Sequence, residues 1–527
     1  MSNDLGMDRS GNGNNWTVNN ITYADQMVDS PTNNFATLNP LGGLQTSTIT
    51  FSEGNLKASN AAGGTEPIAS STIAMTSGKW YFEYRNLSGN GSVGIQDTNN
   101  AGQSYIYHDN QGGFGSGYYY NGSLRATDGQ DANYGAAWGN TDIIGVALDV
   151  DNGTLVFYKN NASQGTAETG LPSSASLGYR FVISTDAATA MANFGQDSSF
   201  AGNSTAQGNQ DGNGIGDFYY TPPTGFLALC TSNLPDVAVV PSENFNAVTY
   251  SGSGSEQAIV TGFKPNLVWI KARNNTTSHL LVDTFRNWTG NGNAREIRTN
   301  TDAAQVNRTN SVKEDFNANG FSVISDAAYN SSSHNYVSWS WKGNGSDSGS
   351  SNTNGSIDST VYVNTNAGFS IVGYTGTGSN ATIGHGLSKA PEMLIVKSAT
   401  SAMDWKVYHA SLGSGQQGYL NQNIAFESAG TLWQNTTPTS SLFYVNNDAS
   451  VNHNTNTMIA YCFHSVEGYS KVGSYVGNGN ADGPFVYTGF RPAFVLTKVT
   501  NAADDWSIAD YARSPHNVAG ESLRPNS

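Results

Sequence analysis

The sequence predicts an all-β protein of tandem, sandwich-like modules. Short apolar and aromatic runs alternate with period two, and poor helix formers fill the intervals between them. In addition, one phrase is written three times. The copies run from Phe245 to Arg273 (FNAVTYSGSGSEQAIVTGFKPNLVWIKAR), Phe369 to Ala399 (FSIVGYTGTGSNATIGHGLSKAPEMLIVKSA) and Tyr469 to Thr500 (YSKVGSYVGNGNADGPFVYTGFRPAFVLTKVT). Each has an apolar strand with a Tyr near its end, a Gly/Ser/Asn turn, a Pro stop and a second apolar strand closing on Lys. Their prolines, Pro265, Pro391 and Pro492, lie 126 and 101 residues apart. That period is too long for a solenoid repeat and right for a small domain.

Composition narrows the class. A chain of 527 residues has room for roughly three to four domains. Only 12% of residues are charged, yet no apolar run approaches the roughly 20 residues of a spanning helix, so no membrane insertion is expected. Aromatics at 11% supply apolar area that disordered chains lack. The net charge of −16 argues against nucleic acid or an anionic membrane as partner and suits a particle that stays dispersed. Cys230 and Cys462 each sit in an apolar run and read as buried thiols. The start, MSNDLGMDRSGNGNNW, has no charged-then-apolar signal segment, so export by a signal peptide is not expected.

The elements follow in order. Residues 1–45 are Asn-rich with isolated aromatics and read as an extended arm that docks on something larger. Residues 46–200 carry alternating strands, among them GKWYFEYR and a hairpin turning at Asp151-Asn152-Gly153. A linker and connecting strand occupies 201–235. The first repeat unit spans 236–342 and closes on YVSWSW, where Val337, Trp339 and Trp341 share a face. Residues 343–358 form a Gly/Ser/Asn linker or long loop. The second unit spans 359–464 and closes on MIAYCF, and a partial third occupies 468–527. A half-module cannot cover its own sheet, so the third is expected to complete itself against a neighbour or further sequence.

Two groups of motifs resemble known families. GKWYFEYR, SVGIQD (Ser92 to Asp97), YGAAWGNTDIIGVALDVDNGTLVFYKN (Tyr134 to Asn160) and MANFGQ (Met191 to Gln196) resemble, in order, the SPRY domain. Asn140-Thr141-Asp142 stands where that family usually has Gly-Asp. The resemblance implies a concanavalin-like β-sandwich that binds partners through its loops. DRSGNGNNWTVNN, DSPTNNFATLNP and NGIGDFYYTPPTGFLALCTSNLPD are similar to recurring segments of tailed-phage tail-fibre proteins of the marine and cyanophage type. That likeness implies a virion protein made in the host cytoplasm, typically a homotrimer, that meets other virion proteins and a host-surface glycan or protein.

Candidate sites are few. Tyr105, Tyr107, Phe114, Tyr118, Tyr119 and Tyr120 lie between SPRY-like strands; aromatic faces beside amides suit sugar recognition, although alternation sends Tyr118 and Tyr120 opposite to Tyr119 and some of them to the core. Asp211, Asn213 and Asp217 have the spacing of a Ca²⁺ loop without its distal bidentate Glu, and the alternative is a polar turn. The eight histidines show no ligand spacing. There is no GxSxG elbow or P-loop, so the chain is not expected to be an enzyme. Acids such as Asp149, Asp151, Glu243, Asp283, Glu392 and Asp404 are scattered, and spacing along the chain does not show which converge. The expectation is a tail fibre attaching to the host surface; the alternatives are a capsid decoration protein without a receptor and a free glycan-binding adhesin.

Overall fold

The computed structural model describes residues 6–8, 12–19, 33–41, 48–61, 66–97, 106, 114–126, 131–171, 178–235, 239–286, 294–313, 316–481, 483–516 and 519–527. It is all-β, with 41% strand and 3% helix. The chain divides into two compact units: Met1–Asp236 with Tyr475–Tyr487, and Val237–Ser474 with Thr488–Ser527.

The first unit is organised by two long antiparallel strands, Lys79–Asp97 and Tyr179–Asn193. One half of Lys79–Asp97 pairs with Ile143–Asp149, which continues through the Asp151-Asn152-Gly153 turn into Thr154–Lys159. The other half pairs with Gly115–Tyr119 and onward to Ser123–Ala126. Between the halves the register slips beside Ala187, and Gly89 sits at φ 73°. A Cβ on Gly89 would lie 2.1 Å from the Ala187 carbonyl oxygen, so only glycine fits this corner.

Alternation in GKWYFEYR sends Trp80, Phe82 and Tyr84 into the main core with Val93, Ile95, Phe157 and Phe181. Its other face is covered too: Tyr81 packs with Phe35, Phe218, Ala228 and Cys230. The presumed arm is thus partly built in, since Phe35, Ala36 and Leu38 are buried and the Ala36 amide donates to the Leu229 carbonyl at 2.8 Å. Glu83, on the same face as Tyr81, is fully buried. It accepts from the amides of Tyr219 (2.8 Å) and Tyr220 (2.7 Å), from Asn193 Nδ2 (3.1 Å) and from the Tyr81 hydroxyl (3.3 Å). Desolvation nonetheless raises its carboxyl from 4.5 to about 7.

The second unit is built from the repeated phrase. In the first module the antiparallel order is opening strand Phe245–Ser251, closing strand Asn335–Trp341, inner strand Leu267–Ala272 and outer strand Leu280–Asp283. The second module repeats it with Phe369–Thr375, Thr457–Phe463, Met393–Ser398 and Lys406–His409. The closing strand, last in sequence, therefore lies in the middle of each sheet. Short helices Ala327–Asn330 and Ala449–Asn452, capped by Asp326 and Asp448, precede the two closing strands. Stretch 343–358 is tied rather than loose. Asn266 Oδ1 accepts from the amides of Gly343 (2.9 Å) and Gly345 (2.8 Å), and Ser350–Asn352 pairs with Ser359–Asn364.

The third module departs from the sequence expectation. Only its inner strand Phe494–Thr497 and outer strand Ser507–Asp510 form, as a two-stranded sheet. The stretch matching the opening strands, beginning at Tyr469, has no strand. In the other modules the opening strand never touches the inner strand and pairs with the closing strand instead. Among the described residues no closing strand lies beside it, and Ser470 instead bridges Val466.

The modules meet in a ring around one core that includes Trp269, Trp339, Ile371, Trp405, Tyr461, Trp506 and Ile508. The second module docks on the first through Trp405 Nε1 donating to the Arg298 carbonyl (3.0 Å) and Lys397 Nζ to that of Asp302 (3.0 Å). The third docks on the second through the equivalent bonds, Trp506 Nε1 to Tyr419 O (2.7 Å) and Lys498 Nζ to Asn423 O (3.4 Å). Two buried ion pairs brace the ring. Asp283, paired with Arg286, accepts the Tyr461 hydroxyl at 2.7 Å. Asp510, paired with Arg513, accepts Trp339 Nε1 at 3.0 Å and so links first module to third.

Candidate functional site

Among the described residues, the aromatic group of the first unit does not form a continuous platform. Tyr105 and Tyr107 lie outside the described residues. Phe114 is half-buried and meets Tyr179 edge-on at 6.2 Å. Tyr118 is fully buried, its hydroxyl donates to the Ala136 carbonyl, and burial pushes that hydroxyl up to about 12. Tyr119 is buried as well. Its hydroxyl donates to Glu66 (2.9 Å), and the Arg125 guanidinium lies 4.3 Å from the ring centre while facing Glu66 at 3.4 Å. Among the described members of the group, only Tyr120, past the strand end at Tyr119, is exposed. Alternation predicts that Tyr118 and Tyr120 share a face; the turn at Tyr120 breaks that pattern. Arg125, Glu66 and Tyr119 thus form one polar cluster.

The Asp211 loop has a structural task. Asp211 Oδ1 accepts from the amides of Asn213 (2.9 Å) and Ile215 (3.0 Å), and Oδ2 from the Ala228 amide (2.9 Å) and Asn233 Nδ2 (2.8 Å). A carboxylate taking four N–H donors has its lone pairs committed to them rather than to a cation. Asn213 Nδ2 donates to Asn233 at 2.9 Å, and the Asp217 amide donates to the Gly195 carbonyl at 2.8 Å. Asp211 and Asn213 thus tie the loop to Ala228 and Asn233. Among the described residues no three His, Cys, Asp or Glu gather at metal-holding distance.

Five of the six scattered acids are similarly engaged, whereas Glu243 is exposed. Asp149 pairs with Lys79 at 2.8 Å, Asp151 accepts the Gly78 amide at 2.9 Å, and Asp404 accepts from Asn421 (2.7 Å) and Gln422 (2.9 Å). Asp283 is inside the ring described above, and Glu392 accepts the Ser465 amide. Of the histidines, His279, His385 and His464 are buried, and burial lowers the basicity of each. A polar cleft of about 340 Å³ in the second unit is lined by Arg273, Asn274, Asn335, Arg513 and Glu521. Its one carboxylate faces Arg273 at 2.8 Å, whereas glycosidic cleavage uses two carboxyls roughly 5–9.5 Å apart.

Of the residues with the most demanding environments, sequence singles out only Asp283, as one of the scattered acids, and misses Glu83, Arg286 and the Asp510–Arg513 pair. For the pairs a signal existed, because LLVDTFR and SIADYAR share Asp-x-x-Arg just beyond the repeated phrase.

Residues 79–197 match the SPRY domain model, so the first unit contains a sandwich of that class. The model described as Domain of unknown function (DUF7483) matches residues 240–527, more than half of the chain, and the chain belongs to that family. Solved structures similar to this chain include the TRIM65 PSpry domain, at 12% identity and TM-score 0.24, covering 30% of this chain and 89% of that one. The SPRY domain of human HERC1 gives 12% and 0.25, covering 29% and 96%. The carbohydrate binding module CBM66 from Bacillus subtilis gives 11% and 0.22, covering 30% and 93%. At such scores these neighbours carry no argument about ligands, and the sandwich assignment rests on the sheets themselves and the SPRY match.

Proposed function

We propose that the protein works by adhesion and assembly as a structural component of a phage virion, a tail fibre that attaches the particle to the host surface. The observation that carries this reading is where the polar chemistry goes. The acids and buried cations with special environments (Glu83, Asp211, Asp283, Asp510, Lys397) bind other parts of the same fold, and among the described residues none is arrayed with a second reactive group in a cleft. The similarity of the Asn-rich and NGIGDFYYTPPTGFLALC segments to tail-fibre proteins supplies the setting. Three chains on one fibre would combine weak contacts by effective concentration, so that each surface contact can be weak.

The test is adsorption. Purified chain added in excess should slow attachment of the phage to its host, and gold-labelled antibody should mark the tail of intact virions. Label on the head, with adsorption unchanged, sinks the reading in favour of a decoration protein; absence from virions together with glycan binding favours a free adhesin.

A further inference from the structure

The first two modules run in the same register, and at one corner their side chains diverge. Leu280 faces Ile270 on one side and Arg298 on the other; Lys406 holds the matching place, between Val396 and Tyr419. One step along, Glu296 opposite Val306 corresponds to Gln417 opposite Glu427. Asp326 and Asp448 each cap the short helix of their module.

In the first module the polar groups close on one another. Glu296 is fully buried, meets Arg298 and Arg308 at 3.1 Å each, and accepts the Tyr329 hydroxyl at 2.6 Å. Arg308 reaches on to Asp326 at 3.1 Å, and Leu280 packs in the apolar core.

The second module sets an ammonium where the first has Leu280, and two buried groups stay without a counterpart. Lys406 is 7% exposed; its Nζ lies 3.8 Å from the centre of the Tyr419 ring and, among the described residues, makes no hydrogen bond or ion pair. Desolvation lowers its basicity, while Asp448, Asp404 and Glu427 act on it from beyond ion-pair reach. Gln417 is 9% exposed. Its Nε2 donates to Glu427 at 3.1 Å and to the Tyr419 hydroxyl at 3.4 Å, but its Oε1 has no donor among the described residues. The Tyr419 hydroxyl donates to the same Glu427 oxygen at 2.6 Å, which makes these side chains one cluster. Leaving a buried amine and a buried amide oxygen unmade is costly, and a partner that accepts from one and donates to the other relieves both.

The local field selects that partner. One ammonium faces three carboxylates, which repel an anion, while the ammonium itself repels a cation. Hydroxyls serve both sides, because each can accept from Nζ or donate to an amide or carboxylate oxygen. Glu427 and Asp448 are exposed and Tyr419 and Asp404 half-buried, so the corner opens to solvent.

We propose that Lys406, Gln417, Tyr419 and Glu427 form a binding site for an uncharged sugar, with Lys406 Nζ donating to one hydroxyl and Gln417 Oε1 accepting from another. The site deepens the adhesive reading, on which its purpose rests, and belongs to the second unit rather than to the aromatic group of the first.

The test is saturation-transfer NMR on the full chain with glucose, galactose, mannose and N-acetylglucosamine, and with glucuronate as the charged control. Saturable binding of at least one uncharged sugar is expected, about tenfold or more tighter than glucuronate. Lys406→Leu restores the residue of the first module, so it should keep or raise the melting midpoint while weakening binding about tenfold or more, as loss of a hydrogen bond from a charged donor does. No binding by any of the four, glucuronate bound equally well, or binding unchanged in Lys406→Leu overturns the site. Absence of sugar binding while purified chain still blocks phage adsorption overturns the site and leaves the adhesive reading standing. Sugar binding lost in Lys406→Leu, with adsorption unaffected by the chain, supports the site and removes the adhesive purpose.

Discussion

Asp283 has no exposed surface, and its charge is sustained by the Arg286 guanidinium, the Arg286 amide at 3.0 Å and the Tyr461 hydroxyl. Tyr461→Phe removes one charge-assisted bond and should cost about 1.5–3 kcal/mol in denaturant unfolding. Asp283→Ala strands a buried guanidinium and should cost more, about 3–5 kcal/mol. The reverse order of the two variants would mean that the pair is not what braces this seam. Glu83 gives a different signature. Its carboxyl holds a proton up to about pH 7 in the fold, against 4.5 ordinarily. Between those values the folded chain binds more protons than the unfolded one, so the stability of the first unit falls as pH rises through that window. Urea midpoints at pH 5 and pH 8 should show this fall, and Glu83→Gln should flatten it.

At the scale of elements, the corner at Gly89 is where the two halves of the long strand Lys79–Asp97 meet, opposite the register slip in Tyr179–Asn193. Gly89→Ala combines a left-handed φ with a clash on the Ala187 carbonyl, and should cost about 1–3 kcal/mol or more, read as a lower melting midpoint. Much of this level is legible in the chain. The period-two runs at GKWYFEYR, DIIGVALD, VWIKA and MIAYCF become strands, because each presents an apolar face that a sheet can bury. Strand order is not legible. Nothing local tells that Asn335–Trp341 lies between Phe245–Ser251 and Leu267–Ala272, so the failure of the third opening strand could not be foreseen. The candidate site suffers from a similar blindness. Alternation distinguishes the two faces of Tyr118 and Tyr119, but a sandwich whose outer face is itself covered buries both. The four donors on Asp211 come partly from Ala228 and Asn233, well beyond the loop whose spacing resembles a cation site.

Across the molecule, three sheets that share one core and exchange bonds at every seam should unfold together. Trp405→Phe and Trp506→Phe act at different seams, yet each removes one indole bond and should lower the same calorimetric transition, by about 0.5–1.5 kcal/mol. Two separately moving transitions would show that the modules are merely adjacent. The ring also changes who can reach its basic side chains. Lys271, Lys397, Lys406, Arg286 and Arg513 are all buried in the second unit, in a chain with only 24 lysines and arginines. Trypsin must draw such a side chain into its own specificity pocket with the flanking backbone extended, which no intact module permits. Digestion at these positions would then proceed only as fast as the ring opens, and the second unit would resist cleavage there for as long as its seams stay shut.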